Sequence, residues 1–199
     1  MDIELSGKLQ KLLQENKIAE CIEIIEDELI LQPKSEFRKI IGSKELLNQA
    51  KKLNKALGKF YKSANKKIYV KSMCAELNKI TLYPDNWEIE MYAYDNFGGP
   101  ENYKWLEEWQ HENKDSDNFT LKGFEEIQKI FRTFKNTSES EKEPMAISAK
   151  LCETLVVLRL MELFEAALNL AIEKEKKWIN VPLIVKADGN ELILKVEKV

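Results

Sequence analysis

The sequence predicts an α+β protein, predominantly helical with about six helices, whose small antiparallel sheet is formed by a central strand and a C-terminal β-hairpin. Three patterns carry this expectation. Apolar residues recur at helical spacing along most of the chain, the segment from Trp87 to Tyr94 alternates with period two, and an Asp188-Gly189 pair stands between two aliphatic runs. With 199 residues, 44% of them hydrophobic, the chain is long enough to bury a core as a single domain over 1–199 and too apolar for disorder.

Each element follows in order. Leu5, Leu9, Leu12 and Leu13, then Ile18, Ile22, Ile25 and Leu29, keep helical spacing on either side of Asn16, and Pro33 stops the second run. The pair reads as a helical hairpin that no later segment repeats. Leu46, Ala50, Leu53, Leu57, Phe60 and Ala64 mark a long helix beginning near Ser43. Val70, Met73, Cys74, Leu77 and Ile80 keep the same period on a shifted face, which predicts more helix beyond a bend at residues 65–67.

Trp87, Ile89, Met91 and Ala93 alternate with Glu88, Glu90, Tyr92 and Tyr94, giving a strand with an apolar inner face and a polar-aromatic outer one. Gly99 as cap and Pro100 at the first helical position then start a short helix carrying Trp105, Leu106 and Trp109. After a polar loop, a further helix begins at Thr120, with Phe119 and Phe124 in the two positions of a hydrophobic staple. Residues 136–143 (NTSESEKE) read as a mobile loop. The helix after Pro144 is apolar nearly all round, from Ile147 to Leu168, and is expected as the spine of the core. In the C-terminal hairpin, opposing Ala187 with Asn190 sets Lys186 beside Glu191, Val185 beside Leu192, Ile184 beside Ile193 and Leu183 beside Leu194. A lone hairpin is marginal, so it is expected to recruit the strand at 87–94.

The charge is unevenly distributed. The net value of −3 hides segments of −5 (residues 1–36), +10 (37–80), −8 (81–143) and 0 (144–199). Three widely spaced cysteines, Cys21, Cys74 and Cys152, suit a reducing compartment rather than a disulfide framework, and the first residues lack the apolar stretch of a signal peptide. A cytoplasmic location is expected, with no membrane segment.

Chemical motifs are sparse. His111 is the one histidine, and a metal site from Glu107, His111 and Asp115 weighs less than a solvated histidine. Asp115, Asp117 and Glu126 fit three positions of a calcium-binding loop, but Phe119 and Thr120 stand where an oxygen ligand and a glycine are required. Cys74 and Cys152 sit on apolar stripes and read as packing. Arg159 stands one turn before Glu162, which suits an intrahelical ion pair. Neither a metal nor a cofactor is expected.

Two surfaces remain. Lys44, Lys51, Lys55, Lys59, Lys62 and Lys66 share one side of a helix; this reads first as a solvated face, then as a surface for an acidic partner, and last as a nucleic-acid contact, because arginine and stacking aromatics are missing from it. Glu88, Glu90, Tyr92, Tyr94 and Asp95, followed by Tyr103, Trp105 and Trp109, combine carboxylates with the residue types that dominate interface energies. The expectation is a non-catalytic protein-binding protein, an acidic inhibitor or immunity-type protein for a basic toxin or enzyme. The alternative is a small-ligand enzyme or hydrolase using acids around residues 95–117, and the third reading is nucleic-acid binding through the lysine face.

Overall fold

In the computed structural model, which describes residues 3–33, 35–100, 103–114 and 117–198, α1 (Ile3–Gln14) and α2 (Ile18–Leu31) stand on either side of Asn16, whose φ of 58° makes the reversal. The expected hairpin is present, and Leu9, Leu13, Ile18, Cys21, Ile22, Ile25 and Leu29 are buried along it. The long third helix is shorter than its apolar period. Residues 45–49 form a 3-10 turn, and α3 proper runs over Ala50–Ala64.

Residues 72–77, expected as helix, are instead strand β1 (Ser72–Leu77), the middle of the sheet. Met73, Cys74, Ala75 and Leu77 are all buried because both faces of this strand are covered. A doubly buried strand does not alternate, so Met73, Cys74 and Leu77 matched helical spacing by coincidence. Around it lie β2 (Glu88–Tyr94), β3 (His111–Glu112), β4 (Phe119–Thr120), β5 (Leu183–Ala187) and β6 (Leu194–Val196), in the order β3-β2-β1-β5-β6 with β4 also on β2. The sheet is mixed rather than purely antiparallel. β1 and β5 run parallel, so the hairpin joins β1 and not the strand at 88–94.

The hairpin register also differs. Leu183, Ile184 and Val185 oppose Val196, Lys195 and Leu194, a slip of two residues from the expected pairing. An even slip keeps every side chain on its face, so the aliphatic pattern is equally satisfied. The deciding contacts are local: Asn190 N–H donates to Ala187 O at 3.1 Å, and Gln10 of α1 takes both the N–H and the C=O of Ile193 at 2.9 Å. Those bonds hold residues 190–193 out of the ladder.

The helix expected from Thr120 begins five residues later, as α4 (Glu125–Asn136), because Phe119 and Thr120 pair with β2. Within 136–143, expected as a loop, lies a four-residue helix, α5 (Glu139–Lys142), with Ser138 Oγ donating to Glu141 at 2.7 Å. The region expected as a helix around Trp105 and Trp109 holds a 3-10 turn, Tyr103–Glu107, followed by β3. The expected spine is borne out by α6 (Ala146–Glu173), which packs on α2 and α3 and reaches β5 and β6. Its buried residues continue from Leu151 to Met161 without interruption. Arg159 lies among them, 4% exposed, donating to Glu162 and to Glu26 of α2, each at 2.8 Å. Among the described residues no helix is long and apolar enough to cross a membrane.

Candidate functional site

Strand alternation divides the sheet into two faces. Met73, Ala75, Leu77, Ile89, Met91, Ala93, Leu183 and Val185 join the main core under α6. Cys74, Glu76, Glu90, Tyr92, Tyr94, Ile184 and Lys186 look the other way.

That second face carries a small core of its own at one end. Cys74, Tyr94, Leu106 and Ile184 form a small separate core there, with Tyr92, Tyr103, Trp105 and Ile193 packed around it. Tyr94 Oη donates to Leu106 O at 3.0 Å, and its ring meets Trp105 edge-on at 4.9 Å. Tyr94, expected on an outward contact surface, is therefore sealed inside. The cause is the chain after β2, which folds back and lays Trp105 and Leu106 over the strand end. Trp105 is half-buried as the cover, its indole N–H donating to Gly99 O at 3.1 Å.

At the other end the charged side chains of the face are half-buried, and α1 comes to its rim, Ser6 Oγ donating to Glu191 at 3.0 Å. Glu76 of β1 and Glu90 of β2 are direct cross-strand partners, a like-charge arrangement that destabilises a sheet. Two neighbours offset it. Lys186 of β5, opposite Glu76 on its other side, reaches it at 2.6 Å, and Tyr92 Oη donates to Glu90. Burial, and then the bond to Glu90, push the Tyr92 phenol above its ordinary range, so it stays a donor. Tyr92 in turn packs on Trp109 with ring centroids 5.0 Å apart, and Trp109 is 46% exposed.

A groove of about 430 Å³ opens beside this pair, walled by Tyr92, Tyr103 and Trp109 and by the acids Glu76, Glu107 and Glu191. Asp188 also lines it, against a single lysine, Lys186. Glu90 stands behind two of the lining residues, its cross-strand partner Glu76 and its hydrogen-bond donor Tyr92. The remaining expected contacts stand apart: Glu88 is half-buried and accepts from Asn118 at 3.3 Å, while Asp95 is exposed on the turn beyond β2. The structure thus assembles Tyr92, Tyr103 and Trp109 from the expected set and adds Glu76, Glu107, Asp188 and Glu191. Neither Glu76, inside a segment that reads as helix, nor Asp188 and Glu191, at a hairpin turn, carries a local signal that places it here.

Lys44, Lys51, Lys55, Lys59, Lys62 and Lys66 are each exposed, but only the middle four lie on α3: Lys44 precedes the 3-10 turn and Lys66 follows the helix. Lys59 reaches Asp117 at 2.8 Å and holds that carboxyl below its ordinary value. His111 sits in β3 rather than on a helix, its ring parallel to Phe60 at 5.7 Å, so helical spacing does not join it to Glu107. Asp115, the third member of that trio, lies outside the described residues. Among the described residues no group of three or more His, Cys, Asp or Glu side chains is placed to hold a metal. All three cysteines are free and buried, and desolvation pushes the thiol of Cys74 up to about 12 and that of Cys21 up to about 11. Comparison with known protein families, with curated proteins and with solved structures finds no match to this chain.

Proposed function

We propose that the protein acts by binding, and that it holds a basic protein partner on the acidic end of its sheet, in the manner of an acidic inhibitor or immunity-type protein. The observation that carries this reading is the paired Glu76 and Glu90, both only half-buried on one sheet face, next to the exposed indole of Trp109. A sheet gains nothing from adjacent carboxylates, and such local conflicts are expected where a site serves something other than stability. A cationic side chain entering the groove would meet Glu107 and Glu191 at the wall and a ring surface beside them, the combination that favours lysine or arginine.

The test is affinity capture with the protein immobilised, followed by identification of what elutes in salt. The expected result is a basic protein retained by the wild-type chain and lost when Glu90→Lys is combined with Glu107→Lys, and lost again with Trp109→Ala. Removing an aromatic anchor of this kind costs about 2 kcal/mol or more, roughly thirtyfold in affinity. Identical capture by all three chains, or capture of nothing, would overturn the reading.

A further inference from the structure

A larger hollow shares Trp109 with the acidic groove. It has a volume of about 700 Å³, and its walls come from Lys59, Phe60 and Ser63 of α3, from Lys67, and from the run Trp109–Lys114 with Asp117. This is the size of a small-molecule site. Three properties of the walls define what fits. Ring surface is available twice, on the indole of Trp109 and on His111, which lies at 5° to Phe60. Positive charge predominates, with Lys59, Lys67 and Lys114 against Glu112 and Asp117. Lys59 is engaged with Asp117, whereas exposed Lys67 and Lys114 have no salt-bridge partner among the described residues.

The third property is free hydrogen-bonding capacity. The amides in the wall are spent: Gln110 accepts from Asp95 N–H at 2.9 Å and donates to Glu108 O at 2.6 Å, and Asn113 accepts from Met91 N–H at 2.6 Å and donates to Asn118 at 2.6 Å. The ring nitrogens of His111 have no hydrogen-bond partner among the described residues. Burial and then Lys67 hold the imidazole below its ordinary pKa, so at neutral pH it offers one donor and one acceptor.

We propose that this cleft binds a small ligand joining a planar ring to a phosphate group, the chemistry of a mononucleotide, with the ring against Trp109 and the phosphate met by Lys67 and Lys114. Lysine serves phosphate as a point charge, and indole stacking is tolerant of ring identity. The cleft shares Trp109 with the acidic groove, but Lys67, His111 and Lys114 belong to the cleft alone, so the proposal stands or falls without partner binding there.

Adenosine monophosphate and inorganic phosphate are the probes, followed by tryptophan fluorescence and by the ring C–H resonances of His111, which are unambiguous in a chain with one histidine. Adenosine monophosphate is expected to saturate both signals. Lys67→Gln with Lys114→Gln is expected to weaken it about tenfold or more, while Lys44→Gln, outside the cleft, leaves it unchanged. Silence of the His111 resonances at millimolar nucleotide, or equal affinity in the double variant, would overturn the proposal. Inorganic phosphate binding as tightly as the nucleotide would remove the role of the ring. An oligonucleotide that binds steeply with salt while the mononucleotide does not would overturn it in favour of a polymer backbone.

Discussion

Arg159 is the most consequential single residue outside the two grooves. Its side chain is nearly sealed, yet it holds Glu162 on its own helix and Glu26 on α2, and Glu26 also accepts Gly42 N–H at 2.8 Å. One guanidinium thereby fixes three segments. Taking charges out of water is costly, so removing the cation alone leaves two partly buried carboxylates without a partner. Arg159→Ala is expected to lose about 3 kcal/mol in urea denaturation, and Arg159→Met with Glu26→Gln to recover a large part of it. A loss below about 1 kcal/mol would show instead that water screens these carboxylates. The Glu162 half of this arrangement was legible in the sequence because it depends on spacing within one helix. Glu26, 133 positions away, was not, because no local pattern encodes which helices meet.

At the scale of elements, the cover over Tyr94 depends on a glycine. A Cβ placed on Gly98 would stand 2.2 Å from the ring of Trp105, which the surrounding packing does not let move freely. Gly98→Ala is expected to evict Trp105 from its seat, shift its fluorescence toward the exposed range and destabilise the protein by about 1–3 kcal/mol. An unchanged emission spectrum would mean that the backbone there yields instead. The same region shows how far periodicity reads. Alternation in β2 separates Ile89, Met91 and Ala93 from Glu88, Glu90 and Tyr92, since the strand repeat fixes faces, and buried Trp87 just before the strand keeps the inner phase. It says nothing about what later covers a face, so Tyr94 was misplaced. β1 was hidden for the converse reason, that burial on both sides erases alternation, and the hairpin slipped by two because an even shift leaves the aliphatic pattern intact.

Over the whole molecule, the basic and acidic segments meet each other. Lys39 bonds Glu126 and Lys59 bonds Asp117, each at 2.8 Å, linking the +10 and −8 stretches. These side chains are largely exposed, so the pairs tune the surface potential more than the stability. Global stability has a direct chemical reporter in Cys21, Cys74 and Cys152, all buried in different parts of the fold, with Cys152 raised by desolvation beyond the range of an ordinary thiol. The thiolate is the reactive species, so labelling by a disulfide reagent is expected to be slow for all three in the native state and to follow the denaturant dependence of global unfolding. One thiol reacting quickly without denaturant would reveal a region that opens on its own.

The parallel alignment of β1 with β5 bears on how the chain matures. Glu76 and its bridging Lys186 are 110 positions apart, and a 28-residue helix must be made between them. A nascent polypeptide emerging from the ribosome therefore presents β1 with a vacant hydrogen-bonding edge until β5 is synthesised. Loop closure on that scale is slow. Interrupted or truncated translation products would carry an unprotected strand ready to pair with other chains.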